Sequence, residues 1–150
     1  MRILVPPPVV LFVAGLLMWG VARLDDAAPR GIPLQGAVIG VLVAVALAFM
    51  LAAAVGFARA RTSINPMRPG QATTLLTTGV FRISRNPIYL ADALLLAAFG
   101  VWLGSPWNVL VLAAFLLYID LLQIRAEEAA LLERFGDAYR AYCDRVRRWL

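Results

Sequence analysis

Apolar residues fall along this chain in four long blocks, separated by shorter stretches that hold nearly all the charge. A helix needs about 20 mostly apolar residues to cross a bilayer, and the blocks are of that order. The first covers residues 3–22 and is interrupted by Pro6, Pro7 and Pro8. Proline is tolerated only in a first turn, so a helix is expected from about Pro8. A signal peptide, with Arg2 as its basic end and Ala22 before the cut, is disfavoured because three prolines break a short apolar core. The second block, 34–58, carries no charge. Every fourth residue from 36 is small: Gly36, Gly40, Ala44, Ala48, Ala52 and Gly56. That row lies along one side of a helix and is expected to serve close helix packing. The third block, 88–103, is short. Gly104-Ser105-Pro106 then turns the chain into a fourth, 106–124, with Trp102 and Trp107 flanking the turn as interfacial aromatics do.

Charge orients these blocks. Five arginines lie between residues 59 and 85, and six follow the fourth block. The 23–33 connection offsets Arg23 and Arg30 with Asp25 and Asp26, and the 104–106 turn has no charge. Basic segments stay on the cytoplasmic side, which places both termini and the long middle loop there. The expected fold class is therefore an all-α membrane protein: four transmembrane helices in one domain over 1–150, with a cytoplasmic loop and helical tail.

Composition narrows the chemistry. The chain is 62% hydrophobic with a mean hydropathy of +0.80, and every one of its fourteen basic residues is Arg. Without His, imidazole-based nucleophilic catalysis and imidazole zinc sites are closed. Without Lys there is no Schiff base and no Walker-type phosphate loop. The lone Cys143 excludes an internal disulfide. No metal and no nucleic acid is implied.

The polar residues that remain collect at the cytoplasmic side. The middle loop is too apolar at Leu75, Leu76, Val80 and Phe81 for a free linker, and is expected to lie on the membrane surface or fold over the bundle. Arg59 and Arg61 read as lipid-headgroup contacts. Asn86-Pro87 is a helix start, with Asn86 as N-cap, and Tyr89 and Asp92 follow inside that helix. Asp120, Gln123 and Glu127 fall on one face of a regular helix. Asp120 is either a functional carboxylate facing the bundle or one solvated near the interface. Gly136 reads as a helix stop and Asp137 as the next N-cap. In the last helix Tyr139, Tyr142, Val146 and Trp149 make one apolar stripe, with Arg140, Asp144, Arg147 and Arg148 opposite. Arg145 sits at the stripe's edge and alone of these charges is expected to reach inward. A helix of this kind also fits a membrane surface.

Several of these motifs occur together in one known family. Gly79, Phe81 and Arg82; Arg85, Asn86, Pro87 and Tyr89; Glu127 and Glu128; Phe135, Gly136, Tyr139 and Tyr142; and Arg145-Val146 match in order and spacing. The chain resembles the isoprenylcysteine carboxyl methyltransferases, a superfamily of integral membrane methyltransferases that also holds phospholipid N-methyltransferases. The resemblance covers 73–148. It implies an S-adenosylmethionine site on the cytoplasmic side, lined by Arg85, Asn86, Pro87, Tyr89 and Leu90 with Glu127 and Tyr139. It implies that Glu128 orients cofactor or reacting groups and that Arg145 faces the substrate. One departure stands out: the family's usual His is Asn86 here, so proton handling falls to carboxylates.

The implied reaction is methyl transfer to a lipophilic or membrane-accessible acceptor. A carboxylate acceptor needs no base and could be held by Arg145. An amine or thiol must lose a proton to Glu128, Glu127 or Asp92. Two other classes compete. A sterol-reductase-like enzyme using NADPH is larger, with spans this chain lacks. A small multidrug exporter carries a carboxylate in its first span, absent here. The implied setting is a bacterial inner membrane, with membrane lipids, an acceptor and a homo-oligomeric partner as companions.

Overall fold

The computed structural model describes residues 5–25, 33–60 and 74–150, all-helical with no strand among them. The expectations for Arg2, Asp26, Arg30, Arg61 and Arg68 lie outside the described residues. Helix α1 is Pro7–Leu24, α2 Gln35–Ala60 and α3 Pro87–Leu103. Helix α4, Asn108–Tyr118, passes through a π-helical turn at Ile119–Ile124 into α5, Arg125–Phe135, and α6 is Asp137–Cys143. A short 3-10 turn, Gly79–Arg82, precedes α3.

Among the described residues, three helices are long and apolar enough to cross a membrane: α1, α2 and the 28 residues of Asn108–Phe135. Helix α3 has 17 residues, about 25 Å at 1.5 Å per residue, short of the roughly 30 Å hydrocarbon layer. It is the most enclosed element, with Tyr89, Ala91, Asp92, Ala93, Leu96 and Ala98 buried. Helix α2 packs along it, and α1 leans on α3 and α4. Outward side chains such as Phe12, Leu16, Leu51, Val109 and Leu117 are exposed and apolar, as a lipid-facing surface requires.

The small-residue row of α2 departs from expectation. Gly36, Gly40, Ala44, Ala48 and Ala52 face outward, and Ala46 and Ala53 are the buried positions. With no polar residue marking a side, packing against α3 decides which apolar face turns inward. Of the row's glycines, Gly36 and Gly40 face open space among the described residues, whereas a Cβ at Gly56 would stand 3.2 Å from Phe81 Cε2.

Two apolar cores result. One joins Ala14, Met18, Tyr89, Ala93, Leu96, Phe115, Ile119 and Ile124 inside the bundle. The other sits at the bundle's end, where Phe81, Tyr139, Tyr142 and Val146 close over Ala53. Leu75, Leu76 and Val80 pack against it, so the described part of the loop folds over the bundle. Phe57 and Phe81 meet edge to face at 5.5 Å.

At the opposite end the α3–α4 turn is held by polar bonds. Gly104 takes the left-handed cap position at φ 79°. Gln35 Nε2 donates to the Val101 carbonyl at 2.7 Å, and Ser105 Oγ donates to Asp25 at 2.5 Å.

Candidate functional site

The head of α3, the π turn and the closing segment 144–150 meet at one end of the bundle. Pro87 begins the helix, and Asn86 occupies the N-cap position without capping it. Its side chain points elsewhere: Nδ2 donates to the Arg148 carbonyl at 2.9 Å. Ser84 Oγ accepts from the Asn86 amide at 3.1 Å and donates to the same Arg148 carbonyl at 3.3 Å. The Arg85 amide donates to the Arg147 carbonyl at 3.1 Å. Three groups ahead of α3 therefore bind the closing segment through its peptide oxygens.

The side chains form an ionic cluster beneath this backbone contact. Arg85 Nη2 lies 3.1 Å from Glu128 Oε1. Arg148 donates to the same carboxylate twice, from Nε at 3.1 Å and Nη2 at 2.6 Å. Its Nη1 lies 3.2 Å from both oxygens of Asp120. Asp120 also accepts from Trp149 Nε1 at 3.3 Å and faces Arg125 Nε at 3.7 Å. Side-chain exposures of 13% for Arg85 and 18% for Glu128 leave that pair largely dry, where charge-assisted bonds are strongest. The Glu128 bond holds the Arg148 guanidinium firmly protonated, above its ordinary value.

Three phenols flank the cluster: Tyr89, Tyr139 and Tyr142. Tyr89 donates to Glu127 Oε1. Tyr142 donates to the Phe81 carbonyl at 2.7 Å, tying α6 to the 3-10 turn. Burial, and next the Glu128 charge, pushes the Tyr139 phenol up; burial pushes Tyr142 up to about 12.

The π turn explains which carboxylates meet. One extra residue in a turn subtracts about 100° of rotation, so Asp120 and Glu128 come to the same side, as if seven residues apart. A regular helix would have aligned Asp120, Gln123 and Glu127. Instead Gln123 is buried with Nε2 donating to the Val5 carbonyl at 3.3 Å, and Glu127 turns to Tyr89.

Of the site residues expected from sequence, Arg85, Asn86, Pro87, Tyr89, Glu127, Glu128 and Tyr139 come together here, with half-buried Leu90 one residue beyond Tyr89. Arg145 stays outside the cluster: it is exposed, and its Nε donates to the Ala141 carbonyl at 3.0 Å. Arg148 reaches inward instead. Helix α6 ends at Cys143, so helical spacing does not carry to residue 148. Gly136, at φ 52°, is the N-cap of α6, and Asp137 Oδ1 pairs with Arg140 at 2.8 Å. The stripe residues Tyr139, Tyr142 and Val146 are core, not membrane surface.

Fold and site together define a membrane-embedded helical protein with an ionic cluster at one end. The phospholipid methyltransferase family model matches residues 34–138, and the chain belongs to that family of membrane methyltransferases. A Haemophilus influenzae protein described as uncharacterized is 44% identical over 63 residues, 42% of this chain and all of that relative.

Proposed function

We propose that the chain transfers a methyl group from S-adenosylmethionine to a lipophilic acceptor at the cytoplasmic face of a bacterial inner membrane, with four spans and both termini inside. The observation that carries this reading is the Arg85–Glu128 pair joining the α3 head to α5, beside the Tyr89–Glu127 bond. The residues fit the cofactor. Arg85 Nε is buried with no hydrogen-bond partner among the described residues, a donor suited to a carboxylate. Glu127 and Glu128 suit positive charge.

The cofactor's sulfonium supplies an activated methyl group, so the protein's task is mainly alignment. Positioning of this kind supplies roughly 7–11 kcal/mol of barrier reduction. The protein's own groups are assigned as follows. Arg85 and the α3 head bind the cofactor's anionic end, and Glu128 orients its cationic end. An acceptor that must lose a proton would pass it to Glu127 or Asp92, the carboxylates outside the arginine cluster. An acceptor tail lies among the lipid-facing helices, and a second copy of the chain would seat on the exposed small row of α2. Arg145, exposed beside the cluster, contacts the acceptor's polar head.

Calorimetry on the purified protein tests the reading. The folded chain should bind S-adenosylmethionine, and E128Q should bind at least tenfold more weakly. A folded wild-type chain that takes up none would sink it.

A further inference from the structure

Glu128 is assigned to the cofactor's cationic end, yet both its oxygens are already taken. Oε1 lies 3.1 Å from Arg85 Nη2 and accepts from Arg148 Nε at 3.1 Å, and Oε2 accepts from Arg148 Nη2 at 2.6 Å. The two cations differ in how they are held. Arg85 leads into α3 and is 13% exposed; Arg148 lies on an irregular segment and is 31% exposed. Arg148 also has a second partner, since Nη1 stands 3.2 Å from both oxygens of Asp120.

Resting on the methyltransferase reading, we propose that Arg148 is an internal competitor of the cofactor for Glu128. An ammonium arriving at Glu128 would make a third cation around one carboxylate unless the guanidinium withdrew. Like charges at such distances repel strongly in a site sheltered from water. Asp120 is the group onto which Arg148 withdraws, because it already holds one guanidinium nitrogen. The affinity for the cofactor is thus set by an exchange: one Glu128–cation pair breaks as another forms, and Asp120 accepts the displaced guanidinium. A substituted Arg148 removes the competitor. A substituted Asp120 removes the place to which it withdraws, leaving it on Glu128.

The two substitutions therefore act with opposite sign, whereas damage to the fold would weaken binding in both. Titration of the full chain with S-adenosylmethionine should show R148Q binding roughly tenfold more tightly than wild type, about 1.4 kcal/mol. R148K, which keeps charge but loses the fork, should gain about threefold. D120N should bind several-fold more weakly, and that loss should vanish in the R148Q background, since Arg148 is the partner of Asp120 that also holds Glu128. If wild type binds and R148Q binds no better, the competitor role is overturned while the methyltransferase reading stands. If no folded variant binds at all, both fall.

Discussion

At the residue scale, Glu128 and Tyr142 hold the site in different ways. Glu128 is the common partner of two arginines, so E128Q strips a charge that both require and should lower stability by about 1–3 kcal/mol, read by thermal unfolding in detergent. Tyr142 contributes a neutral bond to the Phe81 carbonyl at a buried position. Y142F leaves that carbonyl without its donor and should cost about 1–2 kcal/mol. The same residue gives an alkaline limb. Its folded value of about 12 lies above the ordinary 10.0, so its contribution is complete below pH 10 and is lost as pH rises toward 12. Unfolding titrations of Y142F should lack that part of the alkaline decline.

At the element scale, the π turn and the close approach of α2 to the loop decide the geometry. Deleting Leu122, an exposed residue within the turn, would restore a regular helix and leave Asp120 and Glu128 on one side, since they would then stand seven residues apart. The deletion should keep helical circular dichroism and leave S-adenosylmethionine binding within about threefold of wild type, measured by calorimetry; a loss of tenfold or more would show that the wider turn itself shapes the site. Gly56 permits the approach of Phe81, so G56L should lower the unfolding temperature by an overpacking penalty of about 1–3 kcal/mol. These two places also mark where sequence reading stops. Apolar run lengths bracket the helices to within a few residues, since a charge-free stretch as long as 34–58 has few other uses. Arg85, Tyr89 and the Glu127-Glu128 pair are legible because they sit at helix starts and ends with fixed spacing. The partner of Glu128 was not, because the periodicity that singles out Arg145 presumes a helix that stops at Cys143. Nor does any residue between 119 and 124 announce a π turn, and a uniformly apolar α2 gives no sign of which face is inner.

At the scale of the whole molecule, polar bonds close both ends of an apolar bundle, and they do so unequally. The Gln35–Val101 and Asp25–Ser105 bonds secure one end with few charges. The other end concentrates arginines and carboxylates, in keeping with a cytoplasmic face. In a C143S background, W107C should react with an impermeant maleimide in intact cells, and A138C only after lysis. The opposite labelling would reverse the orientation.

The closing segment is gripped by its peptide oxygens: Arg147 and Arg148 each present a carbonyl to the groups ahead of α3. Such a grip is blind to side-chain identity. Position 147, exposed and contacted through its carbonyl, is free to drift over evolutionary time, while position 148 answers for both its carbonyl and its guanidinium. Two adjacent arginines of identical chemistry are thus expected to diverge at very different rates among relatives, and a saturation mutagenesis scan read by S-adenosylmethionine affinity would show one flat column beside one that shifts with each loss of the guanidinium.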